Sequence, residues 1–216
     1  MVFQTQPSVI IFDWDGTLSD SISQIVRSLL HAAESHQQPL RAEAAKNIIG
    51  LGLPEAMHIL FPQVPEQHAA IQASYSAHFL ARSHEIEWYQ GAETLLSALQ
   101  QAGRQTAIAT GKSRKGLDRV MQHLGCAELF HATRCASETR SKPHPMMLEE
   151  IVQELGVSVA DCVMVGDTSY DLDMARAIGM SAIGISHGVH PPEILAACEP
   201  RAIVDSLSEL QSLLLS

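Results

Sequence analysis

Basic residues are scarce in this sequence: 14 Lys and Arg stand against 24 Asp and Glu, a formal net charge of −10 with His neutral. So acidic a surface repels phosphate backbones and argues against nucleic acid as a partner. Any small anionic substrate must instead find its positive charge locally, from a bound cation or a few placed side chains. Cysteine is scarce as well. Cys126, Cys135, Cys162 and Cys198 form no C-x-x-C pair and no closely spaced framework, so the thiols read as reduced. No apolar run approaches the ~18 residues of a membrane span. The segment up to Phe12 lacks the basic residues and small-residue cleavage site of a secretory signal. The expectation is a soluble, cytoplasmic protein, monomeric or homodimeric, with no membrane partner.

What is present is an ordinary globular balance, 46% hydrophobic and 18% charged, too apolar for a disordered chain. Val9-Ile10-Ile11-Phe12 is a short β-branched and aromatic run without polar alternation, the pattern of a strand buried on both faces. Gln105–Thr110 and Cys162–Val165 repeat it, Ala182–Ile185 is a weaker fourth run and Ala202–Val204 a candidate fifth, and Phe130–Cys135 is poorly patterned. Between them run helical periodicities: Ile22, Ile25, Val26, Leu29, Leu30 and Ala33 share one face, and so do Ala92, Leu95, Leu96 and Leu99. The Leu117–Leu124 and Met147–Leu155 patterns stop at Gly125 and Gly156, natural C-terminal caps. Alternating helices and strands from about residue 92 onward predict an α/β fold with a Rossmann-like parallel sheet.

Residues 20–87 break that alternation. They read as helices only, with Pro54 and Pro65 placed as first-turn prolines, and the stretch is too long for a single crossover. The expected organisation is therefore a core of residues 1–19 and 88–216 with a helical domain, residues 20–87, inserted into it.

In parallel α/β sheets, ligands sit beyond the carboxyl ends of the strands. The first strand ends in Asp13 and Asp15, the second in Thr110 and Gly111, and the third clear one in Asp167, followed by Asp171; Lys142 precedes the helix containing Met147. Several carboxylates at one sheet edge repel each other unless a hard cation lies among them, and Mg²⁺ suits such oxygen ligands. An Asp can act as nucleophile in phosphoryl transfer. A second Asp two residues on can serve as general acid, with Thr110 and Lys142 holding the developing charge.

Asp13-Trp14-Asp15-Gly16-Thr17-Leu18, Thr110-Gly111, Lys142-Pro143 and Gly166-Asp167-Thr168 with Asp171 resemble, in order, the four motifs of the haloacid dehalogenase (HAD) superfamily. That resemblance implies a covalent aspartyl intermediate. It also implies Mg²⁺ held by the side chains of Asp13 and Asp167 and the backbone carbonyl of Asp15, with Asp171 in a supporting position. The helical insertion looks like the family's cap, and Ile49-Gly50-Leu51-Gly52-Leu53 is similar to the cap loop of phosphoglycolate-phosphatase-like members. Thr17, Gly111, Gly50, Leu51 and Gly52 are the expected substrate-binding positions, the cap-loop glycines letting backbone N–H groups approach the substrate.

The expected activity is thus a Mg²⁺-dependent phosphatase for a small phosphorylated metabolite, with phosphoglycolate the best guess. A β-phosphoglucomutase-like mutase and a non-catalytic phosphate-binding protein are the alternatives; Thr17, where mutases tend to carry Val, tilts against the first. Three further readings complete the expectation. Lys112 and Asp173 are surface residues, the His187–His190 loop borders the site without binding zinc, and the methionines on helix faces are core.

Overall fold

The structure, a computed structural model, describes Phe3 and residues 5–216. Six parallel strands form one sheet: β1 (Val9–Phe12), β2 (Gln105–Thr110), β3 (Ala132–Cys135), β4 (Cys162–Gly166), β5 (Ser181–Ile185) and β6 (Ala202–Val204), in the order β3-β2-β1-β4-β5-β6. The poorly patterned Phe130–Cys135 segment does supply a strand, shortened to its last four residues. It lies at the sheet edge, paired only with β2, which explains its weak apolar signal: only its two end residues are buried.

Successive side chains of a strand point to opposite faces, and here each face has its own cover. Val9, Ile11, Ala107, Ala109 and Met164 pack with α7 (Met146–Leu155) and α8 (Ser169–Ala177). Ile10, Phe12, Val163, Val165 and Ile183 pack with α5 (Ala92–Gln101) and α10 (Leu207–Leu215). Burial on both faces is why the central strands read as continuous apolar runs. The remaining core helices are α6 (Arg114–Leu124) and α9 (Pro192–Ala196).

The insertion is helical, as expected: α1 (Ile22–Ser35), α2 (Ala42–Asn47), α3 (Leu53–Leu60) and α4 (His68–Ala81). Pro54 lies in the first turn of α3, and Pro65 opens a 3₁₀ turn leading into α4. The chain leaves and re-enters the core through two antiparallel crossings: Asp20 N–H donates to Glu87 O (3.0 Å) and Tyr89 N–H to Leu18 O (2.8 Å). The insertion is not isolated. Ile25, Leu29, Met57, Phe61 and Ile71 form one apolar cluster with Trp14, Ile108, Leu117 and Val120 of the core.

The strand order reverses direction between β1 and β4, since crossovers run outward to β2 and β3 on one side and to β5 and β6 on the other. Such a switch point leaves a crevice at the carboxyl ends of the two central strands. Asp13 follows β1 and Asp167 follows β4, so the fold brings the two together there.

Candidate active site

Asp13, Asp167 and Asp171 are all buried, and each offers a carboxylate oxygen within 4.8 Å of the others. One cation is built among them. Lys142 Nζ lies 2.7 Å from Asp13 Oδ1 and 2.6 Å from Asp171 Oδ1, with its side chain fully buried. Burial pulls its pKa down, but the two carboxylates outweigh that and hold the ammonium above its ordinary range. Counted as ionised, three buried carboxylates against one ammonium carry a formal excess of two negative charges. Burial, with Asp171 and Asp167 adding to it and Lys142 opposing, pushes Asp13 well above the usual carboxylate range. Burial and then Asp171 push Asp167 to about 7.

The excess of two negative charges matches a divalent cation, and two further observations fit one. Asp13 Oδ2 is buried without a partner. The Asp167 carboxylate lies in a cradle made of glycine: a Cβ on Gly16 would meet its Oδ2 at 2.2 Å, and one on Gly188 at 2.1 Å. Thr17 Oγ1 donates to Asp167 Oδ1 (2.8 Å) and Val189 N–H to Oδ2 (2.8 Å), fixing the group from both sides. Hard oxygen donors of this kind suit Mg²⁺.

Asp171 is the third residue of α8. Its Oδ2 accepts from Thr168 N–H (3.2 Å) and Thr168 Oγ1 (2.7 Å), forming a capping box. Both of its oxygens are therefore engaged, one by the helix start and one by Lys142. Thr110 is buried at the end of β2, and its hydroxyl accepts from Lys112 N–H (3.2 Å), which shapes the turn after the strand.

Three sequence expectations are corrected here. Lys112 is not a surface residue: its Nζ lies 2.9 Å from Asp15 Oδ1, both side chains nearly buried, and 4.8 Å over the ring of Phe79 in α4. The chain turns so tightly after Thr110 that Lys112 faces the crevice rather than solvent. Thr17, expected to bind substrate, is fully buried with its hydroxyl on Asp167. The cap loop also differs from expectation. Leu51 N–H donates to Ile48 O (3.1 Å) and Gly52 N–H to Ser141 Oγ (2.7 Å), so those donors are already engaged. The loop turns carbonyls toward the core: a Cβ on Gly111 would meet Gly50 O and Leu51 O at 2.5 Å each. Gly50, Leu51 and Gly111 still line the cavity between insertion and core, and Gly52 does not.

The His187–His190 loop borders the site. His187 Nε2 lies 3.1 Å from Thr17 O, while His190 Nδ1 accepts from Ser169 N–H (2.9 Å). Sequence reasoning missed what this loop does. Gly188 and Val189 position Asp167, and the closely set glycine was the one available signal. Asp173 pairs with Arg176 and is partly exposed, in keeping with a surface role.

Asp15 lies apart from the three-carboxylate cluster. Ser21 Oγ donates to its Oδ1 (2.5 Å), and the residue lines a cavity of about 400 Å³ between the insertion and the core.

The family model of the haloacid dehalogenase-like hydrolases matches residues 10–185, which include Asp13, Asp15, Thr110, Lys142, Asp167 and Asp171. The chain belongs to that family. The chain is 33% identical over 210 residues to the probable phosphatase IndB of Dickeya dadantii, covering 94% of this chain and 91% of that one. It is 28% identical over 218 residues to the phosphoglycolate phosphatase of Vibrio parahaemolyticus, covering 96% of each. Its fold matches the crystal structure of a predicted phosphatase from Clostridium acetobutylicum with a TM-score of 0.88 and 25% identity, covering 98% of this chain and 99% of that one. No helix among the described residues is long and apolar enough to cross a membrane.

Proposed function

We propose that this HAD-family phosphoric monoester hydrolase uses Mg²⁺ and a covalent intermediate on Asp13. The arrangement that carries the reading is Asp13 itself, with one oxygen held by Lys142, the other unpartnered, and two further buried carboxylates beside it. Asp13 and Asp167 would hold the cation, with the Asp15 carbonyl as the family resemblance implies. Mg²⁺ supplies Lewis-acid charge neutralisation for the phosphoryl oxygens when bound.

In the first step an Asp13 oxygen attacks phosphorus, the bond from phosphorus to the ester oxygen breaks, and protonated Asp15 delivers its proton to the departing alkoxide. In the second, the Asp15 carboxylate takes a proton from water and the water oxygen attacks phosphorus. The acyl-phosphate bond breaks, inorganic phosphate leaves and Asp13 returns as a carboxylate. Lys142 aims Asp13 and opposes the burial that favours its protonated form, and Thr110 and Gly111 border the phosphoryl group. Asp171 fixes Lys142, and Thr17 fixes Asp167. The cap, residues 20–87, closes over the crevice by flexing at the paired crossings near Ser19 and Trp88.

The substrate is a small phosphomonoester, and the relatives named phosphoglycolate phosphatase make phosphoglycolate the reference compound. The test is phosphate release by purified protein over a panel of phosphomonoesters, with and without Mg²⁺, beside the Asp13→Asn variant. Metal-dependent release by the wild type, abolished in folded Asp13→Asn, is expected. Turnover that survives Asp13→Asn, or that needs no metal, overturns the reading.

A further inference from the structure

The cavity beside Asp15 has one polar end. Asp15, Gly111 and Lys112 form it, where the leaving oxygen of a phosphomonoester would arrive. Away from that end the lining is hydrocarbon: Ile25, Leu29, Ile49, Leu53, Phe79 and Leu80 all come from the cap. Among the described residues, no charged cap side chain lines the cavity; Ser76 and the Tyr75 hydroxyl are its only polar side-chain groups there. Tyr75 stacks on Phe79 (ring centroids 5.8 Å apart, 26° between planes), giving the wall a flat aromatic panel. Burial, with Asp15 adding to it, holds the Tyr75 hydroxyl neutral.

These facts set the chemistry of the leaving group. A carboxylate turned into the cap would have to shed water against carbon, and an unpaired buried charge is strongly disfavoured. Lys112 offers no free charge for it, being committed to Asp15 at 2.9 Å. Lys115, exposed, and Arg119, half-buried, border the cavity from α6 on the core side; they draw a dianionic phosphate toward an otherwise acidic protein. The volume of about 400 Å³ also far exceeds a two-carbon acid: at ~30 Å³ per molecule in the liquid it equals about a dozen waters.

Resting on the phosphatase reading above, we infer that the preferred substrate is a phosphomonoester whose alcohol portion is predominantly apolar, in preference to phosphoglycolate. The alcohol's carbon body fills the cap cavity while its ester oxygen meets Asp15.

The experiment compares kcat/KM for phosphoglycolate, hexyl phosphate and 2-phenylethyl phosphate with Mg²⁺. All three release a primary alkoxide, so a difference reflects recognition more than leaving-group reactivity. 4-Nitrophenyl phosphate reports whether the machinery works at all. Since single methylenes change discrimination by roughly 10-fold to 200-fold, the apolar esters are expected to exceed phosphoglycolate by about 100-fold or more. Hexylphosphonate should likewise inhibit 4-nitrophenyl phosphate hydrolysis at least about tenfold more tightly than 2-carboxyethylphosphonate. Leu80→Arg places a cation on the cap wall at a position already 44% exposed, where folding tolerates it, and should shrink the preference by about tenfold. Phosphoglycolate equal to or better than both apolar esters, with 4-nitrophenyl phosphate turned over, overturns this inference alone. No Mg²⁺-dependent turnover of any ester overturns the phosphatase reading and the inference with it.

Discussion

Lys112 and Asp15 form a nearly buried ion pair at 2.9 Å, and the same ammonium lies over Phe79 of the cap. One residue therefore ties the proposed acid/base group to the element that closes over it. Removing it frees Asp15 from one of its two side-chain partners, leaving Ser21, and releases a cap contact. Lys112→Met keeps most of the volume and deletes the charge. It should lower kcat by about 10-fold to 100-fold, within the ~10²–10⁴-fold range that positioned acid–base groups contribute. Steady-state kinetics check this, and an unchanged kcat would return Lys112 to a bystander.

Gly111 touches the cap loop through bare backbone. An added Cβ would meet two carbonyl oxygens at 2.5 Å, and neither can move without shifting the loop from Ser141. Gly111→Ala should hold the cap away from the core, costing about 1–3 kcal/mol at the contact. Activity should fall by at least about tenfold, with faster proteolysis near the crossings at Ser19 and Trp88. Kinetics and limited proteolysis read both effects, and wild-type values in each would show that the loop does not clasp Gly111.

Gly188 and Gly16 crowd Asp167 from two sides. Gly188→Ala drives a methyl into Asp167, whose atoms are the three nearest to the added Cβ, so it tests the cradle. Partners that orient metal ligands typically govern ~10-fold to 100-fold in affinity or activity. The half-saturating Mg²⁺ concentration should rise by about that factor. An unaltered Mg²⁺ dependence would remove Asp167 from the metal site.

The raised carboxylates give a pH signature without substrate. Asp167 goes from an ordinary 3.8 to about 7, with Asp13 shifted in the same direction. Between those pH values the metal-free native state binds more protons than the unfolded chain, so stability falls as pH rises through that window. Mg²⁺ displaces the extra protons and stabilises the native state by mass action. The Mg²⁺-induced rise in Tm should therefore be larger at pH 8 than at pH 6. Asp167→Asn should abolish most of that difference, which thermal unfolding at the two pH values measures. A shift larger at pH 6 would contradict the charge balance of the cluster.

The sheet, its three polar strand ends and Lys142 were legible because their signals are local. Doubly buried strands are continuous apolar runs, and Asp13, Thr110, Lys142 and Asp167 each follow a strand or precede a helix at recognisable spacing. What stayed hidden depends on which way a side chain turns after a strand ends. Nothing in Thr110-Gly111-Lys112 tells that Lys112 folds back onto Asp15, or that Thr17 faces Asp167 instead of the crevice. The cap loop misled for a related reason. Its glycines do permit close approach, but the partner is Gly111 and the groups presented are carbonyls. Gly188 and Val189 lie some twenty residues beyond Asp167, and only the packed β4–β5 pair brings them back to it.

Covalent capture on Asp13 is the most direct test. In Asp15→Asn the activated leaving group of 4-nitrophenyl phosphate needs no proton, whereas hydrolysis of the intermediate still needs the base. Mixing this variant with Mg²⁺ and that ester should give a burst of about one nitrophenolate per enzyme, then slow turnover. Acid-quenched peptide mass spectrometry should place a phosphoryl group on Asp13. A folded, Mg²⁺-saturated variant with no burst, or with the phosphoryl group on another residue, would show that Asp13 is not the nucleophile.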